Sequence, residues 1–231
     1  MSGAAKSGAV RRLVVIAVIV LALAACGVDP TTGRPPTDGA VPAFTASVHA
    51  VGPGTPWPLA SSWRSGCPVG PENLRLVEVS HWGYDGRAQT GRIVVASALA
   101  DEVTEAFRRL YDVRFQIQRM EPVDAFGGSD AESMAANNTS AFNCRQVAGT
   151  STWSEHAFGT AVDINPVQNP YVRDGIADPP AGSTWLDRAL SAPGMIQDGD
   201  AVVAAFAAGG FRWGGHWQSI KDYQHFSTSG R

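Results

Sequence analysis

Two stretches of this chain hold side chains able to do chemistry together. In "STWSEHAFGTAVDINP", residues 151–166, His156 and Asp163 stand seven positions apart across Gly159, and in "WGGHWQSIKDYQHFS", residues 213–227, Asp222 stands three positions before His225. The first pair alone is weak, since a loop histidine that merely hydrogen-bonds would give the same spacing. The second changes the reading. Two histidines and one carboxylate, with a coordination position left for water, make a catalytic zinc set, whereas structural zinc sites are closed by four protein ligands. The remaining carboxylate is then free to act as a base.

Such a site needs elements that bring the two stretches together. Gly159 and Pro166 argue against a continuous helix, and the alternation of Thr160, Val162 and Ile164 with Ala161 and Asp163 suits a strand with one buried face. His156 then comes from the loop before that strand, and Gly159 lets the chain double back. Positions three apart on a strand face opposite ways, so Asp222 is expected on the turn entering the strand of His225. Upstream, "LRLVEVS" and "GRIVVAS" read as strands around the turn-rich "YDGRAQT". "DEVTEAFRRLYDV" places Val103, Phe107, Leu110 and Tyr111 on one helical face, with Asp101 as the expected N-cap. "VRFQIQRM" is a further strand candidate, leading into the long polar loop "GGSDAESMAANNTSAFNCR". A second loop runs over 165–199, "DAVVAAFAAGG" is a helix ending at glycine, and "FRWGG" and "YQHFS" are short strands. Hairpin-like turns and the lack of a Gly-rich phosphate loop predict an α+β fold, with a small antiparallel sheet flanked by helices.

The 231 residues, 44% hydrophobic and 17% charged, suffice for one globular domain plus less structured chain. Arg11 and Arg12 precede the apolar run "LVVIAVIVLALAA", too short to span a bilayer comfortably, which reads as a signal-peptide core. Residues 23–26, "LAAC", resemble the bacterial lipobox, which makes Cys26 the expected lipidated N-terminus and the outer face of the cell membrane the expected location; the alternative is a plain secreted protein. The divisions expected are a lipoprotein signal peptide over 1–25, a Pro/Gly-rich tether over 26–65 and a domain over 66–231. Loss of the leader, with Lys6, Arg11, Arg12 and no acid, takes the net charge from −3 to −6 and leaves no basic footprint for nucleic acid. With Cys26 lipidated, Cys67 and Cys144 remain as a pair in an oxidising compartment and are predicted to form a disulfide.

"SEHAFGTAVDIN" followed by "DYQHF" resembles the S-x-H-x-x-G-x-A-x-D and [DE]-x-x-H motifs of the VanY/VanX-like zinc D-alanyl-D-alanine carboxypeptidases and dipeptidases, a group that includes phage endolysins such as the L-alanyl-D-glutamate type. "SMAANNTSAFNCR", "NPVQNPY", "PGMI" and "WGG" are similar to the secreted actinobacterial branch, so the resemblance spans about residues 76–226. It implies a Hedgehog/DD-peptidase-like fold, His156, Asp163 and His225 as ligands of one zinc ion, and Asp222 as the catalytic base. It also implies a peptidoglycan stem-peptide substrate, with the chain acting as a monomer. A net positive zinc brings the pKa of its water toward neutrality, and the base takes the proton.

The resemblance has one gap. Many relatives carry an arginine in an R-x-x-x-Q segment well before the first histidine, and the comparable "DAFGGSDAESM" has none. Arg145 is the candidate replacement, a solvated surface arginine being the equal alternative. Ser154 either supports the first ligand or caps the following turn. His216 is expected to pack at a turn and His81 to be structural, while Trp153, Trp213 and Trp217 either line a cleft or belong to the core. Removal of terminal D-alanine is the expected activity. Cleavage inside the stem peptide or cross-bridge is the nearest rival, and a catalytically silent wall-binding lipoprotein is a rival of another class.

Overall fold

The computed structural model describes Met1 and residues 41–231. The expected signal peptide beyond Met1, the expected lipidation site Cys26 and the first part of the expected tether fall outside the described residues.

The folded unit, Pro42–Arg231, is built around a three-stranded antiparallel sheet of β1 (Ala46–Ala50), β2 (Leu74–Trp82) and β3 (Ala88–Ala96), in the order β1-β2-β3. The β2–β3 hairpin pairs continuously from Leu74 opposite Ala96 to Trp82 opposite Ala88. Successive side chains of a strand point to opposite faces. Val77, Val79, Ile93 and Val95 therefore enter one apolar cluster, and Leu74, Leu76 and Val94 enter a second on the other face.

α1 (Ala100–Asp112) follows, covering the first cluster with Val103, Ala106, Phe107 and Leu110. Its predicted cap is corrected: the helix begins before Asp101, running on from a 3-10 turn at Ser97–Leu99, and Leu99 caps it without a side-chain bond. Asp101 lies in the first turn, where its charge favours the helix dipole.

β4 (Arg119–Met120), α2 (Asp130–Ala135) and β5 (Asn138–Thr139) come next, β4 pairing parallel with β5. The strand expected over "VRFQIQRM" shrinks to β4, because its earlier part finds only a bridge from Gln116 to Trp82. The loop expected over 127–145 is ordered by α2, whose N-cap Ser129 accepts from Glu132 N, and by a bridge from Ser140 to Asp163.

β6 (Ala161–Asp163), β7 (Tyr171–Arg173), β8 (Ile176–Asp178), α3 (Ala201–Ala208), β9 (Arg212–Trp213), β10 (Lys221–Asp222) and β11 (His225–Ser227) complete the chain. They form two further sheets, ordered β6-β11-β9 and β10-β7-β8. Asp200 caps α3 through bonds from Val202 N and Val203 N, and Phe206 of that helix packs on Phe107, Phe211 and Phe226. Phe226 fastens β11 to the core and so holds the neighbouring His225 in place.

The tether predicted over 26–65 is too long. Residues 46–50 form β1, Trp57, Leu59 and Trp63 pack in the second cluster, and buried Ser62 bonds to Asp124. The side chains of β1 are mostly exposed, so its backbone ladder with β2 holds it and no hydrophobic period marks it in the sequence. Cys67 and Cys144 form a disulfide with Cα atoms 5.8 Å apart, joining this N-terminal segment to the strip of chain beside β6.

Candidate metal centre

His156 lies in a 3-10 turn, Glu155–Phe158, that ends at Gly159. Ser154 caps the turn by accepting from His156 N at 3.3 Å, the capping role of its two predicted ones. Gly159 has φ +69°, and a Cβ there would stand 2.6 Å from Ala96 N, so the reversal that returns the chain into β6 requires glycine.

β6 and β11 run antiparallel, with His225 opposite Asp163, Phe226 opposite Val162 and Ser227 opposite Ala161. Directly opposite residues share a face. Val162 and Phe226 therefore point into the core, and Asp163 and His225 into the site. His225 Nδ1 lies 3.0 Å from Asp163 Oδ1, and His156 Nε2 lies 3.1 Å from Asp163 Oδ2 and 3.2 Å from His225 Nδ1. All three residues are buried, and their ligand atoms fall within 4.8 Å of one another.

The outward nitrogens of both rings are already used. His156 Nδ1 donates to the Ala141 carbonyl at 2.6 Å, and His225 Nε2 donates to the Arg231 backbone oxygen at 3.0 Å. These backbone oxygens accept, so in a neutral ring the lone pair is left on the inward nitrogen. Backbone partners of this kind orient metal-bound imidazoles. The donor set therefore fits a divalent cation that accepts nitrogen and oxygen, with zinc the natural match for two imidazoles and a carboxylate.

Charges within the trio are strongly perturbed. Burial works against the charged form of His225, but the bond and charge of Asp163 outweigh it and push the imidazole up to about 9. Burial likewise works to raise the Asp163 carboxyl, and His156 and His225 outweigh it, holding it well below the usual carboxylate range.

Asp222 stands apart from this trio. It ends β10, opposite Tyr171 of β7, and the chain passes to the other sheet between it and His225. The predicted entry turn is thus corrected to a change of sheet, which equally releases the two residues from strand alternation. A Cβ at Gly214 would lie 2.6 Å from the Asp222 carbonyl oxygen and 2.9 Å from its Cβ, so glycine there leaves room for the backbone of Asp222. Asp222 keeps some exposed surface, yet its Oδ1 is enclosed and has no hydrogen-bond partner. Burial pushes the carboxyl up to about 7; His225, His156 and Arg145 pull it down, and Asp163 pushes it further up.

A cleft of about 680 Å³ opens over the two histidines, lined also by Arg145, Trp153, Glu155 and Trp217. Arg145 is half-buried there rather than solvated. Trp217 stands 5.6 Å from the His225 ring, Trp153 both lines the cleft and packs on the second cluster, and Trp213 is core. His216 faces away, its Nε2 2.7 Å from Asp198 on the surface, and His81 is buried in the fold. The Ala141 and Arg231 backbone oxygens went unforeseen because backbone acceptors carry no side-chain signal. Glu155, next to His156 in the first motif, was there to be noticed.

The domain thus gathers two histidines that line the cleft and an aspartate in contact with both, a set of side chains able to hold a metal ion. Residues 148–228 match the family model described as D-alanyl-D-alanine carboxypeptidase. The match contains His156, Asp163, Asp222 and His225, and it bears out the resemblance to the VanY-like family. At the family level it supports a peptidase that acts on peptidoglycan. No solved structure matches the chain.

Proposed function

We propose that this chain is an exported, lipid-anchored zinc peptidase that removes the terminal D-alanine from peptidoglycan stem peptides. The observation that carries this reading is the convergence of His156 Nε2, Asp163 and His225 Nδ1 beside the cleft that both histidines line, with the outer ring nitrogens engaged by backbone oxygens. A zinc ion held by these three residues would supply a Lewis acid and an acidified water.

The chain's own groups divide the remaining work. Asp222, pushed up to about 7 and so partly ionised near neutrality, and without a hydrogen-bond partner at Oδ1, accepts the proton of the attacking water and returns it to the departing amine. Arg145, on the wall of the same cleft, receives the terminal carboxylate that a carboxypeptidase substrate must present; a guanidinium can take it through two parallel bonds. Trp153 and Trp217 offer apolar surface to the peptide. Lipid on Cys26 would keep the domain at the outer face of the membrane, within reach of the wall.

The test is a digest of purified muropeptides, with and without chelator, read by mass spectrometry. Loss of one C-terminal alanine from pentapeptide species, abolished by chelator and restored by zinc, is the expected result. Cleavage inside the stem or cross-bridge would keep the metal chemistry and replace the assigned bond. No cleavage of any muropeptide would leave the wall-binding reading in its place.

A further inference from the structure

β11 is followed by a tight turn that folds back onto the metal centre. Ser227, two positions past His225 and therefore on the same face of the strand, is fully buried and pairs with Ala161 of β6 on one side and Arg212 of β9 on the other. Its hydroxyl closes the turn: Oγ accepts from Gly230 N at 3.1 Å and donates to the Arg231 backbone oxygen at 2.8 Å. That same oxygen accepts from His225 Nε2 at 3.0 Å. The turn is pinned from its other side as well. Trp217 Nε1 donates to the Gly230 carbonyl at 3.0 Å, with its ring centre 5.6 Å from that of His225. Trp217 and Arg231 both line the cleft.

We propose that Ser227 is a positioning residue for metal binding: together with Trp217 it holds the Arg231 backbone oxygen on His225 Nε2, and so keeps Nδ1 turned toward His156 and Asp163. This rests on the reading of His225 as a metal ligand. A ligand imidazole needs its ring plane and its tautomer fixed, and the partner on the outer nitrogen does both. The two histidines differ in how that partner is secured. Ala141, which serves His156, lies between Ser140, bridged to Asp163, and Phe142, whose N–H donates to the Val94 carbonyl at 2.9 Å. Arg231 belongs to no strand, and its oxygen is placed by the Ser227 hydroxyl and by the clamp of Trp217 on Gly230. Nothing in "STSGR", residues 227–231, marks this role in the sequence, because the working atoms are a hydroxyl and backbone oxygens.

The experiment measures zinc affinity by competition with a chromophoric chelator at one fixed pH, and records the imidazole N–H signals of the zinc-loaded protein by NMR. The purified wild-type protein is compared with Ser227→Ala, Trp217→Phe and His225→Ala, the last also assigning the His225 signal. Ser227→Ala is expected to weaken zinc binding about tenfold, the lower end of the range for groups that support a metal ligand. Trp217→Phe keeps an aromatic ring and removes one donor, so about two- to tenfold is expected, the worth of a single hydrogen bond. In both variants the His225 Nε2–H signal should broaden or vanish through exchange with water, while the His156 Nδ1–H signal, held by Ala141, stays as in the wild type. If Ser227→Ala does not fold, Trp217→Phe decides alone. If His225→Ala loses zinc while the folded variants keep wild-type affinity, the positioning role is overturned and the ligand reading stands. If His225→Ala binds zinc as the wild type does, the ligand reading falls and this proposal with it. A loss of affinity with the His225 signal unchanged, or with the His156 signal lost equally, places the effect elsewhere in the fold and also overturns the proposal.

Discussion

His225 and Asp163 are direct partners across the antiparallel β6–β11 ladder, and their side chains meet at 3.0 Å. Sixty-two positions separate them in sequence. The register alone brings them together, and a slip of one residue would send either to the opposite face. Phe226 and Val162, the next pair along, fix that register by burying completely in the core. Replacing Phe226 with alanine is therefore expected to cost about 3–5 kcal/mol of stability and to weaken metal binding as well. Denaturant unfolding and a metal-competition titration on the same variant check both; wild-type affinity in a destabilised variant would separate register from site.

Either His156→Ala or His225→Ala should remove stoichiometric metal and hydrolysis, since a site with three protein ligands does not survive losing one. Elemental analysis after dialysis, with circular dichroism to establish folding, is the check. A doubly substituted protein that still carried about one zinc per chain would remove these residues from the ligand set.

Metal uptake should depend steeply on pH. In the metal-free protein His225 is raised from 6.5 to about 9, so near neutrality it holds a proton that a cation must displace. Apparent affinity is expected to climb about tenfold per pH unit for that one proton and to level off above about 9. Stability of the metal-free protein runs the other way: the His225–Asp163 pairing contributes fully below 6.5 and is lost as pH rises through about 9. Calorimetric titration in buffers of different ionisation enthalpy measures the proton release; affinity independent of pH between 6 and 8 would contradict it.

The Cys67–Cys144 bridge spans a sequence separation of 77. Cross-links that close long loops restrict the unfolded chain, and removing one typically costs 2–5 kcal/mol. Cys67→Ser with Cys144→Ser should lower the thermal midpoint and raise KM through the residue beside Cys144, Arg145. An unchanged KM in the folded variant would show that Arg145 does not depend on the bridge.

Much of the site was legible before the fold was known, because the motif holding Asp222 and His225 stands beside the weaker His156 and Asp163 pair, and Gly159 and Pro166 bound the strand between them. The α1 face was equally plain, since it follows a period of 3.6, and the β2–β3 hairpin and α3 were marked by the turn-rich and glycine boundaries around them. β1 was not, because it is held by backbone pairing under exposed side chains. The ordered path from α2 to β6 was hidden for a related reason: buried Asn137, Asn138 and Asn165 hold it through side-chain bonds to distant backbone, a pattern without local repeat. Asp222 was placed on a turn because residues three apart on one strand face opposite ways, whereas the chain there crosses between two sheets.

The division of labour between the two carboxylates is the core of the proposed mechanism, and one paired measurement addresses it. Zinc content and turnover on a stem peptide are determined together for Asp222→Asn and Asp163→Asn. Asp222→Asn should keep about one zinc per chain and lose 10²- to 10⁴-fold in turnover, the usual contribution of a general base. Asp163→Asn should lose zinc affinity first. Release of zinc by Asp222→Asn with retention by Asp163→Asn would exchange the two roles, and full turnover in both variants would contradict the hydrolytic mechanism itself.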